Sequence, residues 1–108
     1  MDEASPPKVA SEASLHDQIA AELKRRQWYF VHSRTDRATT QAKGVPDFII
    51  ARPDGVTLWL EIKLPKGKLT PEQAGTIHWL RRLGHRAEVI YSFEEFLSHA
   101  NDKSSNPA

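Results

Sequence analysis

Apolar residues recur at two different spacings along the 108-residue chain, and the spacing changes where the elements change. Leu15, Ile19 and Leu23 return at every fourth position, which lays them along one stripe of an α-helix capped by Ser11 or Ser14 and running to about Arg26. Trp28-Tyr29-Phe30-Val31-His32 is aromatic and β-branched, the composition of a strand. Phe48 to Arg52 and Val56 to Ile62 are two more strand-like runs, separated by Pro53-Asp54-Gly55. Thr70 as N-cap, Pro71 at the first helical position and Gln73 at the third form a capping box, and the helix they open carries Ala74, Ile77 and Leu80 inward before stopping at Gly84. A strand from Ala87 to Tyr91 follows. Ser92-Phe93-Glu94-Glu95 is a second capping box, opening a short helix with Phe93, Phe96 and Leu97 inward. The predicted order is αβββαβα, an α/β domain with a mixed sheet flanked by helices.

The length suits one core, since two would each be marginal in burial. Residues 11–100 are read as that domain, and the polar, proline-containing stretches 1–10 and 101–108 as frayed tails. With 39% hydrophobic and 27% charged residues the composition is that of a globular protein. No apolar run approaches the roughly 20 residues of a membrane span, and Met1 to Ala10 lacks a signal-peptide core, so a cytoplasmic location is expected. The absence of cysteine excludes disulfides, thiolate chemistry and Cys-based zinc sites. The net charge of +1 conceals an uneven distribution: residues 24–86 hold 13 Lys/Arg against five acids, a balance of +8. Such a middle suits a polyanion, although a merely solvated basic surface would look the same.

The chemistry is concentrated in the hairpin. Proline presets the first turn position, Asp suits the second, and Gly supplies a left-handed residue. If Arg52 pairs with Val56, Phe48 opposes Leu60 and Ile50 opposes Leu58, giving a wholly apolar face that must lie against a helix. The other face pairs Ile49 with Trp59 and then Asp47 with Glu61, with Lys63 two residues further along. Directly opposed side chains have Cβ atoms roughly 4.5–5.5 Å apart, a distance at which two carboxylates repel. A divalent cation with oxygen ligands would offset that repulsion, while the Lys63 ammonium reaches a phosphate or an attacking water. A surface ion-pair cluster of the same three residues is the plainer alternative.

Two acids of the first helix fall on or near its apolar stripe. Glu22 is placed to pair with Arg25 or Arg26, and Glu12 either favours the helix's first turn or leans over the site. Gln73 serves as a cap and could also face the site. The segment from Ser33 to Val45 reads as a polar loop whose Arg34, Arg37 and Lys43 are candidate nucleic-acid contacts, together with Lys66, Lys68, Arg81 and Arg82. His16, His32, His78, His85 and His99 show no metal-ligand spacing, and most of them are expected at the surface. Trp28, Trp59 and Trp79 are expected in the core or on the sheet.

Gly44-Val45-Pro46-Asp47, Leu60-Glu61-Ile62-Lys63 and Gly67-Lys68-Leu69-Thr70-Pro71-Glu72-Gln73, in that order, resemble the motifs of the virus-type replication-repair nuclease (VRR-NUC) family. The resemblance covers about residues 11 to 98. It implies the restriction-endonuclease-like PD-(D/E)xK fold, Mg²⁺ or Mn²⁺, and phosphodiester hydrolysis on DNA. It also implies site residues Asp47, Glu61 and Lys63, an acid of the first helix best matched by Glu12, the Gln73 side chain, and the backbone carbonyl of Ile62 as a metal ligand. Compact members resemble junction or flap nucleases of phage and repair systems, which implies branched DNA. The small surface favours a homodimer. The rivals are a catalytically idle nucleic-acid-binding module of a replication or repair assembly, and an RNA-directed nuclease.

Overall fold

The computed structural model describes residues 11–33 and 44–102. Its elements are α1 (Glu12–Arg26), β1 (Phe30–His32), β2 (Phe48–Ala51), β3 (Thr57–Ile62), α2 (Pro71–Arg82), β4 (Arg86–Ile90) and α3 (Phe93–Asn101). The expected α/β order holds. The strands form one mixed sheet in the order β1-β2-β3-β4, antiparallel except for the parallel pair β3 and β4. A parallel neighbour needs a crossover, and α2 provides it.

The hairpin has the register that its turn dictates. Arg52 N–H donates to the Val56 carbonyl at 2.9 Å, Gly55 takes φ 89°, and Phe48 pairs with Leu60, Ile49 with Trp59 and Ile50 with Leu58. Phe48, Ile50, Leu58, Leu60 and Ile62 are fully buried on one face, where Leu15, Ile19 and Leu23 of α1 and Phe96 of α3 meet them. Period two on the strands and period four on the helix therefore converge on one core.

Three elements depart from the expected pattern. β1 begins at Phe30 because α1 ends in a left-handed Gln27 (φ 62°) with Trp28 N–H bonded back to the Leu23 carbonyl, so Trp28 closes the helix instead of entering the sheet. α2 buries only Ile77, leaving Leu80 half-buried and Ala74 exposed, since it packs along β4 rather than across the sheet. Trp79 is 67% exposed, a correction to its expected place in the core; two residues past Ile77 on a helix is about 200° around it, on the outer face. In α3 the Ser92 side chain caps as expected, but Glu95 reaches back to Tyr91 N–H rather than to the cap residue itself.

Candidate active site

The hairpin's open end brings the motif residues together. Glu61 lies on β3 and is 2% exposed, and Asp47, one residue before β2, is 5% exposed. The expected cross-strand pair is modified here: the ladder closes at Phe48 with Leu60, and Asp47 lies in a bend. Pro46 supplies the physical reason. The register would set it opposite Ile62, but proline has no N–H to contribute to a ladder. Where the ladder stops, the Asp47 carboxylate reaches across to β3, its Oδ2 accepting from Ile62 N–H at 2.8 Å. By strand geometry the Ile62 carbonyl lies on the same edge of β3 as its N–H, the edge that faces β2. On the other side Ser33 N–H donates to the Asp47 carbonyl at 2.8 Å, tying the bend to β1.

Burial drives the electrostatics. Desolvation, and then the Asp47 carboxylate within hydrogen-bonding reach, push the Glu61 carboxyl from its ordinary 4.5 up to about 9; Lys63 opposes the rise and Glu12 adds to it. Glu12 is thus close enough to be felt at the site. Glu22 is engaged elsewhere, its carboxylate held down at about 2 by Arg25 and then Arg26, with Nε bonds of 2.9 and 2.7 Å respectively. Lys63 is half-buried on the face of Glu61, and a side chain at Gly67 would touch its Cδ at 3.5 Å.

Gln73 has two partners. Its Oε1 accepts from Thr70 N–H at 2.9 Å, completing the capping box, while its Nε2 donates to Glu61 Oε2 at 3.0 Å. Capping and facing the site are compatible because the two ends of one amide do different jobs. Gly44 sets the distance between the first and third motifs. It has φ 85°, and a Cβ there would lie 2.5 Å from the Glu72 carbonyl oxygen and 2.8 Å from Thr76 Oγ1. The loop can seat against the first turn of α2 only without a side chain at this position.

Two residues at the site lay outside the sequence expectation. His16 and His32 are half-buried rather than surface residues, and His16 Nε2 stands 3.7 Å from Asp47 Oδ2. The available signal was the spacing of four between Glu12 and His16, which places both on one side of α1. Lys66 and Lys68 are exposed on the segment that joins β3 to α2. Arg34, Arg37 and Lys43 lie outside the described residues. Arg81 is a correction: its Nε donates to the Ala87 carbonyl at 2.8 Å and its Nη2 to Glu88 at 3.3 Å, so it fastens α2 to β4. Arg81 and Arg82 are also at the far end of α2, about 12 Å along the axis from Gln73.

Among the described residues no three His, Asp or Glu side chains form a ready metal cage. The donors at hand are the carboxylates of Asp47 and Glu61 and the main-chain carbonyl of Ile62. These hard oxygens fit a cation such as Mg²⁺, which commonly takes one or two carboxylates and completes its octahedron with water and phosphate. Among the described residues no helix is long and apolar enough to cross a membrane.

A family model for the VRR-NUC domain matches residues 6–94. A solved structure described as a VRR_NUC domain superposes with a TM-score of 0.65 at 21% identity, covering 88% of this chain and all of that one. A comparison with curated proteins gave no match.

Proposed function

The chain belongs to the VRR-NUC domain family, and from that premise we propose that this nuclease-type domain is a Mg²⁺- or Mn²⁺-dependent DNA endonuclease hydrolysing phosphodiester bonds by direct attack of water on phosphorus. The observation that carries the reading is the burial of Asp47 and Glu61 against each other beside Lys63, at 5% and 2% exposure. Two buried acids in contact destabilise a fold unless one retains its proton or a cation offsets their charge. No element of the fold needs Glu61 to be acidic: the core lies on the opposite face of β3, and the α2 cap is complete without it.

Asp47, Glu61 and the Ile62 carbonyl would hold the cation. When bound there, the ion supplies Lewis acidity at the phosphoryl group and lowers the pKa of water. The Lys63 ammonium orients the attacking water and stabilises negative charge growing on the phosphoryl oxygens. Gln73 fixes the Glu61 carboxylate through its 3.0 Å bond, and Glu12 adds a further acid at the mouth. Lys66 and Lys68, with Arg34, Arg37 and Lys43, contact DNA phosphates and set register without reading sequence. Branched DNA, whether flap or junction, is the proposed substrate. A homodimer would bring two sites to two strands.

Cleavage of linear, flapped and four-way DNA in Mg²⁺, Mn²⁺ or chelator, for the native chain and Lys63→Ala, tests this. Cutting is expected only in the native chain with a divalent ion, with branched substrates preferred. Cutting that survives both chelator and the substitution would end the proposal. Salt-sensitive binding without any cutting would favour an idle binding module.

A further inference from the structure

The imidazoles of His16 and His32 sit beside the proposed metal site yet take no part in the mechanism above. His16 lies one turn after Glu12 on α1, and its Nδ1 is 2.7 Å from His32 Nε2 on β1. The His32 ring stacks on Phe48, centroids 4.2 Å apart and planes within 10°, and the His16 ring lies 5.5 Å from the same phenyl group. The pair is therefore gripped by a residue that is itself fully buried in the core.

The hydrogen bonding admits one arrangement that serves the site. A contact between two imidazole nitrogens requires one to donate and the other to accept. If His32 Nε2–H donates to His16 Nδ1, the His16 proton resides on Nε2, the atom that faces Asp47 Oδ2 at 3.7 Å. That distance exceeds a hydrogen bond, but it is a gap of the kind that closes when a site tightens around its ligand. Oδ2 already accepts from Ile62 N–H at 2.8 Å. A second donor from α1, approaching from another element, would fix the plane of the carboxylate and hence the direction of its other oxygen.

We infer that His16 is a positioning residue that orients Asp47 for a divalent cation, and that His32 acts through it by setting its tautomer. The inference rests on the proposed metal-dependent reading. Ligating carboxylates are commonly held by such hydrogen bonds, and loss of the holding partner weakens metal binding by about 10–100-fold.

The test is Mn²⁺ binding without DNA, followed by the electron paramagnetic resonance of the free ion. The native chain is compared with His16→Leu, His16→Gln, His32→Leu and the double variant His16→Leu/His32→Leu, each checked for folding by circular dichroism. His16→Leu should weaken binding by about 10–100-fold. His16→Gln keeps a donor and an acceptor and should stay within about threefold of native. His32→Leu should give a smaller loss, and the double variant should be no worse than His16→Leu, because the second residue acts only through the first. His32→Leu leaves His16 in place, so with His16→Gln it decides the matter even if His16→Leu does not fold. Affinity within twofold of native in both leucine variants would overturn the inference, as would additive losses. A loss in His16→Gln equal to that in His16→Leu would overturn it too, placing an imidazole nitrogen in the metal's own sphere. A native chain that binds no Mn²⁺ sinks the metal-dependent reading itself, a result distinct from all of these.

Discussion

Replacing Glu61 with Gln should make the metal-free protein more stable at neutral and alkaline pH. Glu61 is 2% exposed, and burial followed by the Asp47 carboxylate raises its carboxyl from 4.5 to about 9. The folded value lies above the unfolded one, so folding takes up a proton between those limits. The stability that Glu61 allows is complete below about pH 4.5 and is lost as pH rises towards 9. At about 1.4 kcal/mol per pH unit, the roughly 2.5 units from the ordinary value to pH 7 set a ceiling of about 3 kcal/mol. Solvent screening at the mouth of the site lowers the expected cost to about 1–2 kcal/mol. For a domain of this size that is a difference in Tm of roughly 5–15 °C. The amide is close in shape to the protonated carboxyl and can still accept from Gln73 Nε2. The assay is thermal unfolding from pH 5 to 8.5 in chelator and in Mg²⁺ or Mn²⁺. In chelator, Tm of the native chain should fall relative to Glu61→Gln as pH rises. Divalent ion should restore the native chain at high pH and leave the variant nearly unchanged, since only a folded state that binds the ion gains from it. Parallel Tm curves for the two proteins in chelator would refute the reasoning.

Gly44→Ala combines a left-handed φ with a Cβ placed 2.5 Å from the Glu72 carbonyl oxygen, so urea unfolding should show a loss of about 2–4 kcal/mol; a loss under 0.5 kcal/mol would mean the loop seats differently. Gln73→Glu keeps an acceptor for Thr70 N–H but replaces the donor to Glu61 with an acid. Its helix content should match native while cleavage falls by about 10-fold or more, whereas Gln73→Ala should also lose about 1 kcal/mol of stability. Lys66→Ala and Lys68→Ala should each reduce the salt dependence of DNA binding by about one ion with little effect on stability. Arg81→Ala should do the reverse, costing about 1 kcal/mol in unfolding and leaving the salt slope unchanged, because its guanidinium is committed to Ala87 and Glu88.

The features legible in the sequence were those set by residues close together in the chain. Pro53, Asp54 and Gly55 determine a three-residue reversal, and that reversal fixes the register from Arg52 with Val56 to Phe48 with Leu60. Thr70 and Gln73, or Ser92 and Glu95, meet within one helical turn, and Glu22 finds Arg25 and Arg26 the same way. The hairpin register carries Asp47 towards Glu61, although Asp47 itself lies in a bend one residue beyond the ladder. What only tertiary structure decided depends on how separate elements dock. The sequence offers Gln73 as a cap, but its second bond to Glu61 requires the first turn of α2 to settle on β3's open end, a packing that Gly44 permits. That α2 covers only Ile77 and leaves Leu80 half-buried follows from its packing against β4, which the periodicity within the helix does not encode. His16 meets Asp47 because α1 crosses the sheet where Phe48 can grip two imidazoles. Hydrogen-bond spacing along a chain is local geometry, whereas the angle between packed elements is settled by the fit of all their side chains at once.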